Sequence, residues 1–339
     1  EATGAEAGYV ASGASACLLI GAAAAVTGRD PGRMARLPDT AGMKNECVMV
    51  RSQRNFYDHA IRAAGMKIVE VGLPDRYAGA GVRDAEGWEI DDAIGERTAA
   101  VFYVADAQSR PPLAEVTAIA HAKGVPVIVD AAAQLPPQSN LRRFIAEGAD
   151  LVAFSGGKAI GGPQASGILA GRRDLVMAAA LQHLDLDIYA DMWDPPPALI
   201  DRQRLKGTPQ HGIGRSCKAG KEEIVGLMTA LRLFIAEGDA ARHARWLKDC
   251  ETVASALEGF LVTVTGGNDL ASVPAVEITL DPERIGVAEF CLKLQRGSPR
   301  IALDPALRDR GIVTVNPMCL KPGEAEIVGE ALRLALDRL

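Results

Sequence analysis

The sequence predicts an α/β fold: a mostly parallel sheet covered by helices, followed by a smaller α+β domain. From residue 8 to about 184, short apolar runs rich in Val, Ile and Ala alternate with stretches of helical spacing. The helical stretches close on a glycine, as helices with a C-terminal glycine cap do. A proline-bearing segment at 185–212, "DLDIYADMWDPPPALIDRQRLKGTPQHG", then breaks the alternation and reads as a surface connection.

Seven strands are expected in order: "GYVA", "CVMVRS", "KIVEVG", "AAVFYVA", "PVIVDA", "DLVAFS" and "GILAG". Between them "ASACLLIGAAAAVTG", "FYDHAIRAAG", "PLAEVTAIAHAKG" and "NLRRFIAEG" read as helices. These place a large domain at 1–212 and a smaller one at 213–339. The second domain begins with two long helical patterns, 219–237 and 239–258. Four strand candidates follow, "FLVTVTG", "PAVEITL", "RIALD" and "IVTVNP", and the chain ends in a helical "GEAEIVGEALRLALDRL".

The 339 residues are 48% hydrophobic and only 4% aromatic, enough for a substantial core. Acidic residues outnumber basic ones 43 to 37, for a net charge of -6, and no Lys or Arg run forms a basic patch. A nucleic-acid partner is therefore not expected. The six cysteines form no CxxC pair and read as reduced thiols, which makes a cytoplasmic location the expectation, with no metal site. The apolar segment at 14–28 is too short to span a bilayer and lacks the basic flank of a signal peptide. Glu1 stands one turn before a core strand with no initiator Met, so a preceding arm is expected to be missing.

The motif that carries chemistry is "FSGGKAIGGPQ", 154–164. It is not a phosphate-binding Walker loop, which needs a glycine where Val152 stands and Ser or Thr where Ala159 stands. No GxGxxG opens a helix. A lysine at a strand end is ordinarily solvated surface. Glycines on both sides of Lys158, however, allow close approach to the backbone, and an amine held at a sheet edge can attack carbonyls. This describes a Schiff-base lysine. Asp130 ends the apolar strand "VPVIVDAAAQ", one helix and one strand before Lys158, so both side chains can meet at the carboxyl edge of one sheet. Ser12, Gly13, Ala14 and Ser15 lead a strand into a helix, where free N–H groups and the helix dipole attract an anion. A carboxylate, an amine and an anion cradle are what pyridoxal phosphate requires.

"VIVDAAAQLPP", "DLVAFSGGKAIGGPQASGIL" and "GIGRSCKAGKEEIVGL" together resemble the fold-type-I pyridoxal phosphate enzymes related to bacterial selenocysteine synthase. The likeness covers nearly the whole chain and is strongest to smaller relatives of the D-glucosaminate-6-phosphate ammonia-lyase type. It implies a seven-stranded sheet in a three-layer sandwich, with Lys158 carrying the cofactor and Asp130 paired to its ring nitrogen. It further implies that Ala132 packs on the ring, Gln134 reaches the phenolic oxygen and Ser155 joins the phosphate cradle. Arg215 and Lys218 would supply positive charge to a phosphate or carboxylate, across the interface of a two-fold dimer; the alternative is a charged helix start. Where relatives place a ring-stacking His this chain has Gln53. Arg300 is a further cation for an anionic substrate.

The expected activity is a lyase on a small anionic 2-amino acid or amino-sugar acid: α-proton removal, loss of a β-hydroxyl, and release of ammonia and a 2-keto acid. Racemisation and aldol cleavage start from the same bound species. A non-catalytic relative that keeps the fold is the other class. Selenium transfer to seryl-tRNA is disfavoured by the acidic charge.

Overall fold

The structure is a computed structural model and describes residues 1–73 and 84–339. Two compact units are present, Glu1–Leu135 with Ser139–Leu233, and Pro136–Gln138 with Phe234–Leu339.

The first unit begins with β1 (Ala7–Ala11), α1 (Ala14–Thr27), α2 (Pro31–Met34), β2 (Glu46–Val50), α3 (His59–Ala63) and β3 (Lys67–Val71). It continues with α4 (Gly87–Ala93), β4 (Thr98–Val104), α5 (Leu113–Ala122), β5 (Val127–Asp130), α6 (Asn140–Ala146), β6 (Leu151–Ser155), β7 (Gly167–Gly171) and α7 (Arg173–Leu181). All seven expected strands form, in one sheet of order β1-β7-β6-β5-β4-β2-β3. Neighbours from β6 across to β3 are parallel, and β7 lies antiparallel between β6 and β1. β1, β2, β4, β5 and β6 therefore end on the same edge.

Alternation along the strands divides the core. Cys47, Met49, Phe102, Ile128, Leu151 and Leu169 pack in one cluster with the apolar residues of α1 and α7. Val48, Val101, Val129, Val152 and Phe154 are buried on the opposite face, where the Phe154 ring lies 6.2 Å from that of Phe144 in α6. Helices thus cover both faces, giving the three-layer sandwich expected from the sequence.

α8 (Lys221–Ala256) is broken at Gly238, between the two helical patterns read from the sequence. In the second unit β8 (Val262–Thr265), β9 (Ala275–Thr279) and β10 (Ile312–Val315) make an antiparallel sheet of order β10-β9-β8, with α9 (Val287–Gln295) and α10 (Glu324–Asp337). Arg242, 1% exposed, is bound by Asp239 at 2.7 Å, and Asp239 also accepts the Gln138 N–H, which ties 136–138 into this unit. The expected strand "RIALD" is not one. Pro299 and Pro305 flank it, and only Asp304 bridges to the sheet, opposite Thr314.

Candidate active site

The carboxyl edge of the large sheet gathers most of the candidate residues. Across β1, β7 and β6, Ala11 stands opposite Gly167 and Gly167 opposite Ser155. Across β6, β5 and β4, Ala153 stands opposite Asp130 and Asp130 opposite Val104. Ser12 to Ser15, Ser155 and Asp130 therefore leave the sheet along one edge.

The cradle at β1 is built by close backbone approach. Gly13 caps α1 with φ 126° and no side-chain cap, and no acidic residue stands in the first turn. The first N–H groups of the helix thus point at the edge with their partial positive charge unneutralised. A Cβ on Gly167 would lie 2.3 Å from Gly13 C and 2.6 Å from Ala14 N, so only glycine lets β7 run against this turn. Gly167→Ala is expected to cost about 1–3 kcal/mol of stability and to weaken cofactor retention, read from the urea midpoint of the apoprotein and the cofactor dissociation rate. An unchanged dissociation rate would separate Gly167 from the cradle.

Lys158 follows β6 in a loop that folds on itself: Gly162 N–H donates to Gly156 O at 2.8 Å and Gly161 N–H to Lys158 O at 2.8 Å. The glycines before the lysine serve this packing. A Cβ on Gly156 would meet Ser166 Oγ at 2.2 Å, and one on Gly157 would meet Gln164 Cα at 2.7 Å. The group that approaches them is the chain itself. The Lys158 side chain is exposed.

Asp130 is 7% exposed, and among the described residues its side chain takes one hydrogen bond, from Ala132 N–H at 3.0 Å. Burial pushes its carboxyl above the usual carboxylate range, while the Ala132 N–H and the positive charge of Lys158 act the other way. A buried acid that senses the candidate lysine is suited to hold a proton on a bound ring nitrogen.

Gln53 is buried at 6% exposure and clamps the next strand end: its Oε1 accepts Val104 N–H at 3.0 Å. Its amide is thereby occupied by backbone beside the Asp130 row. Ala132 is half-buried against the core, and Gln134 stands next to it with its carbonyl accepting from Asn140 Nδ2 at 2.7 Å.

The segment of Arg215 and Lys218 lies on its own chain. Ser12 N–H donates to Cys217 O at 2.9 Å, and Lys218 bridges Ala11. This puts Lys218 beside the cradle without help from a second copy. Arg215 is ion-paired with Asp185, which His211 also meets at 3.2 Å, so its charge is partly neutralised. Arg300 is an exposed residue of the second unit.

One residue with no sequence signal enters here. His183, after α7, is buried; its Nδ1 lies 3.2 Å from the Tyr9 hydroxyl. Burial first, then the charges of Lys218 and Arg215, depress its pKa from 6.5 to about 4. The unfolded chain therefore takes this proton first. The His183 contribution to stability is complete above the free-imidazole value and is lost as the pH falls towards the folded one, about 3 kcal/mol in all. Urea midpoints between those limits should fall more steeply for the parent than for His183→Phe. Parallel curves would contradict the assignment.

Comparison with known proteins decides the family. The model of L-seryl-tRNA selenium transferase (SelA) matches residues 57–188. The chain is 32% identical to the 5'-C-glycyluridine monooxygenase-decarboxylase of a Streptomyces species, over 99% of this chain and 78% of that protein. It is 30% identical to the D-glucosaminate-6-phosphate ammonia lyase of Salmonella typhimurium, over 98% of this chain and 81% of that one. The chain belongs to the SelA family of fold-type-I pyridoxal phosphate enzymes. A solved structure of D-glucosaminate-6-phosphate ammonia-lyase superposes with a TM-score of 0.76 at 28% identity, covering 99% of this chain and 83% of that one.

Pyridoxal phosphate is the cofactor of this family, and the edge fits it. The buried carboxylate of Asp130, electrostatically coupled to Lys158, matches a ring nitrogen and a carbonyl carbon. The uncapped, unneutralised start of α1 matches a phosphate. Among the described residues no helix is long and apolar enough to cross a membrane.

Proposed function

We propose that this enzyme is a lyase acting on a small anionic 2-amino acid or amino-sugar acid with a hydroxyl on the β-carbon, next to the amine-bearing carbon, releasing ammonia and a 2-keto acid. The observation that carries the reading is the Asp130–Lys158 pair beside the α1 cradle, in a chain similar over nearly its full length to an ammonia lyase.

When bound, the cofactor supplies a conjugated ring that draws electrons away from the carbon bearing the substrate amine. The chain's own residues do the rest. Asp130 holds a proton on the ring nitrogen, and its burial strengthens that charge-assisted bond. Ser12, Gly13, Ala14, Ser15 and Ser155 bind the phosphate through backbone N–H groups and hydroxyls, with Lys218 adding charge next to them. Ala132 offers a flat flank to the ring and Gln134 a donor to its phenolic oxygen, while Gln53 braces the neighbouring strand end. Lys158 Nζ holds the cofactor at rest. With the cofactor bound, the freed Lys158 amine would be placed to move the proton off the amine-bearing carbon of the substrate. Loss of hydroxide as water, then hydrolysis of the enamine, gives the 2-keto acid and ammonia. Arg215 is the cation of the first unit assigned to the substrate's acid groups.

The similarity to a monooxygenase-decarboxylase supports a second reading, in which the carboxylate rather than the proton leaves. Screening 2-amino-3-hydroxy acids and amino-sugar acids for ammonia, carbon dioxide and α-proton exchange separates the readings. Ammonia with 2-keto acid supports the lyase. Carbon dioxide with oxygen uptake supports the decarboxylase, exchange alone a racemase, and glycine with an aldehyde an aldolase. A protein with none of these would be a non-catalytic member. The proposal includes a small-molecule rather than a tRNA substrate, given the net charge of -6, a cytoplasmic location and a two-fold dimer; light scattering tests the last.

A further inference from the structure

From Gln134 the chain runs to Gln138 through Leu135, Pro136 and Pro137. Proline has a fixed φ and no N–H, so this link is stiff and has no backbone donor at its centre. The next donor is Gln138. Its N–H meets the carboxylate of Asp239, 3.0 Å from Oδ1 and 2.8 Å from Oδ2. At the other end Ala131 N–H donates to Ala153 O of β6 at 2.9 Å, and Gln134 N–H donates to Ala131 O at 3.2 Å. The stretch that carries Ala132 and Gln134 is therefore pinned by the sheet at Ala131 and by Asp239 at Gln138.

Asp239 is held by an arrangement that a straight helix does not need. α8 breaks at Gly238, with φ 72° and ψ 162°. Arg242 spans the break: its Nη2 donates to Phe234 O before it, and its Nη1 to Asp239 Oδ1 after it at 2.7 Å. The guanidinium lies 3.6 Å from the centroid of the Phe234 ring, with Glu237 Oε2 3.3 Å from Nε. At 1% exposure Arg242 is an enclosed cation. Taking such a charge out of water costs about as much as the attraction to its partners returns, so the pair adds little net stability. What it fixes is orientation, because a carboxylate gripped on one side by Arg242 presents its oxygens to the Gln138 N–H in one direction.

We infer that Asp239, oriented by Arg242, is a positioning residue for the cofactor ring: through the stiff Pro136–Pro137 link it sets where Ala132 and Gln134 stand. Asp239, Arg242 and Gln138 belong to one compact unit, and the chain itself carries the effect four residues back to Gln134. The inference rests on the assignment of Ala132 and Gln134 to the ring. It does not depend on which reaction the enzyme performs.

The test compares the pyridoxal phosphate holoenzymes of Asp239→Asn, Asp239→Ala, Asp239→Ala/Arg242→Met and Gln134→Ala with the parent. The readouts are the pH midpoint of the cofactor absorption band, the cofactor dissociation rate, and the urea midpoint of each apoprotein. Asparagine keeps an oxygen for the Gln138 N–H but not the charge that pairs with Arg242. Its band should hold the parent's pH midpoint while its urea midpoint falls. Alanine loses both, so the band midpoint should move in the same direction as in Gln134→Ala, and the cofactor should dissociate about tenfold faster, the worth of one hydrogen bond. If Asp239→Ala leaves Arg242 too poorly paired to fold, the double variant, in which the enclosed charge is also gone, makes the same comparison. A parental band in the alanine variants alongside a shifted band in Gln134→Ala would overturn the role of Asp239 and leave Gln134 at the ring. Shifted alanine variants with an unshifted Gln134→Ala would keep Asp239 as the positioning residue, acting through Ala132, and remove Gln134 from the ring. No shift in any variant would overturn both assignments, and an asparagine variant that shifts as far as alanine would reduce Asp239 to a structural ion pair.

Discussion

Lys158→Ala yields a folded protein whose cofactor is held only by non-covalent contacts, is lost on dialysis, and supports turnover at least about a hundredfold slower than the parent. Removing a positioned general base alone costs about 10²–10⁴-fold, and here the same amine also anchors the cofactor. Folding should survive, because the Lys158 side chain is exposed and the loop around it is held by backbone hydrogen bonds and glycine packing that do not involve the side chain. Gel filtration and the urea midpoint of the apoprotein check the fold; retained cofactor absorption is the readout. An alanine variant that keeps its absorption band through dialysis would place the anchor elsewhere.

Asp130→Ala is expected to keep the fold and the cofactor's attachment to Lys158 while losing most of the rate. Its carboxylate is buried, and among the described residues its one side-chain hydrogen bond is from Ala132 N–H; the ring nitrogen it is proposed to keep protonated would be its second partner. Truncating one member of a buried, hydrogen-bonded charge pair costs about 2–5 kcal/mol, which is about 30- to 5,000-fold in rate. The loss should fall on α-proton exchange in deuterated buffer, since the electron demand of the ring is greatest there. Exchange as fast as in the parent would leave Asp130 a structural residue.

The residues that the sequence reveals are those whose roles are set locally. Asp130 is conspicuous because a charge ends an apolar β run, Lys158 because glycines flank it, and Ser12 to Ser15 because a strand turns into a helix there. The seven strands are legible for the same reason: each is a short apolar run, and several follow a helix that closes on a glycine. What the sequence conceals depends on distant partners. The role of Gly167 follows from its approach to Gly13, and His183 meets Tyr9 across 174 residues of chain. The reason for the glycines before Lys158 is also hidden in the sequence, since Ser166 and Gln164 occupy the space that the glycines leave open. Gln53 is visible as a departure from the relatives' histidine, but its grip on Val104 N–H emerges only when β2 and β4 pair. "RIALD" has strand composition, yet the flanking prolines remove the donors a ladder needs.

The central claim is that Lys158 is the residue that binds pyridoxal phosphate, and borohydride reduction of the holoenzyme followed by peptide mapping tests it most directly. Reduction fixes the carbon–nitrogen bond so that the labelled lysine survives digestion. The account predicts a pyridoxyl group on the peptide that contains "SGGKAIGG", at Lys158, with the absorption band abolished in proportion. A pyridoxyl group on another lysine, or none on a protein that binds the cofactor and turns over, would contradict it.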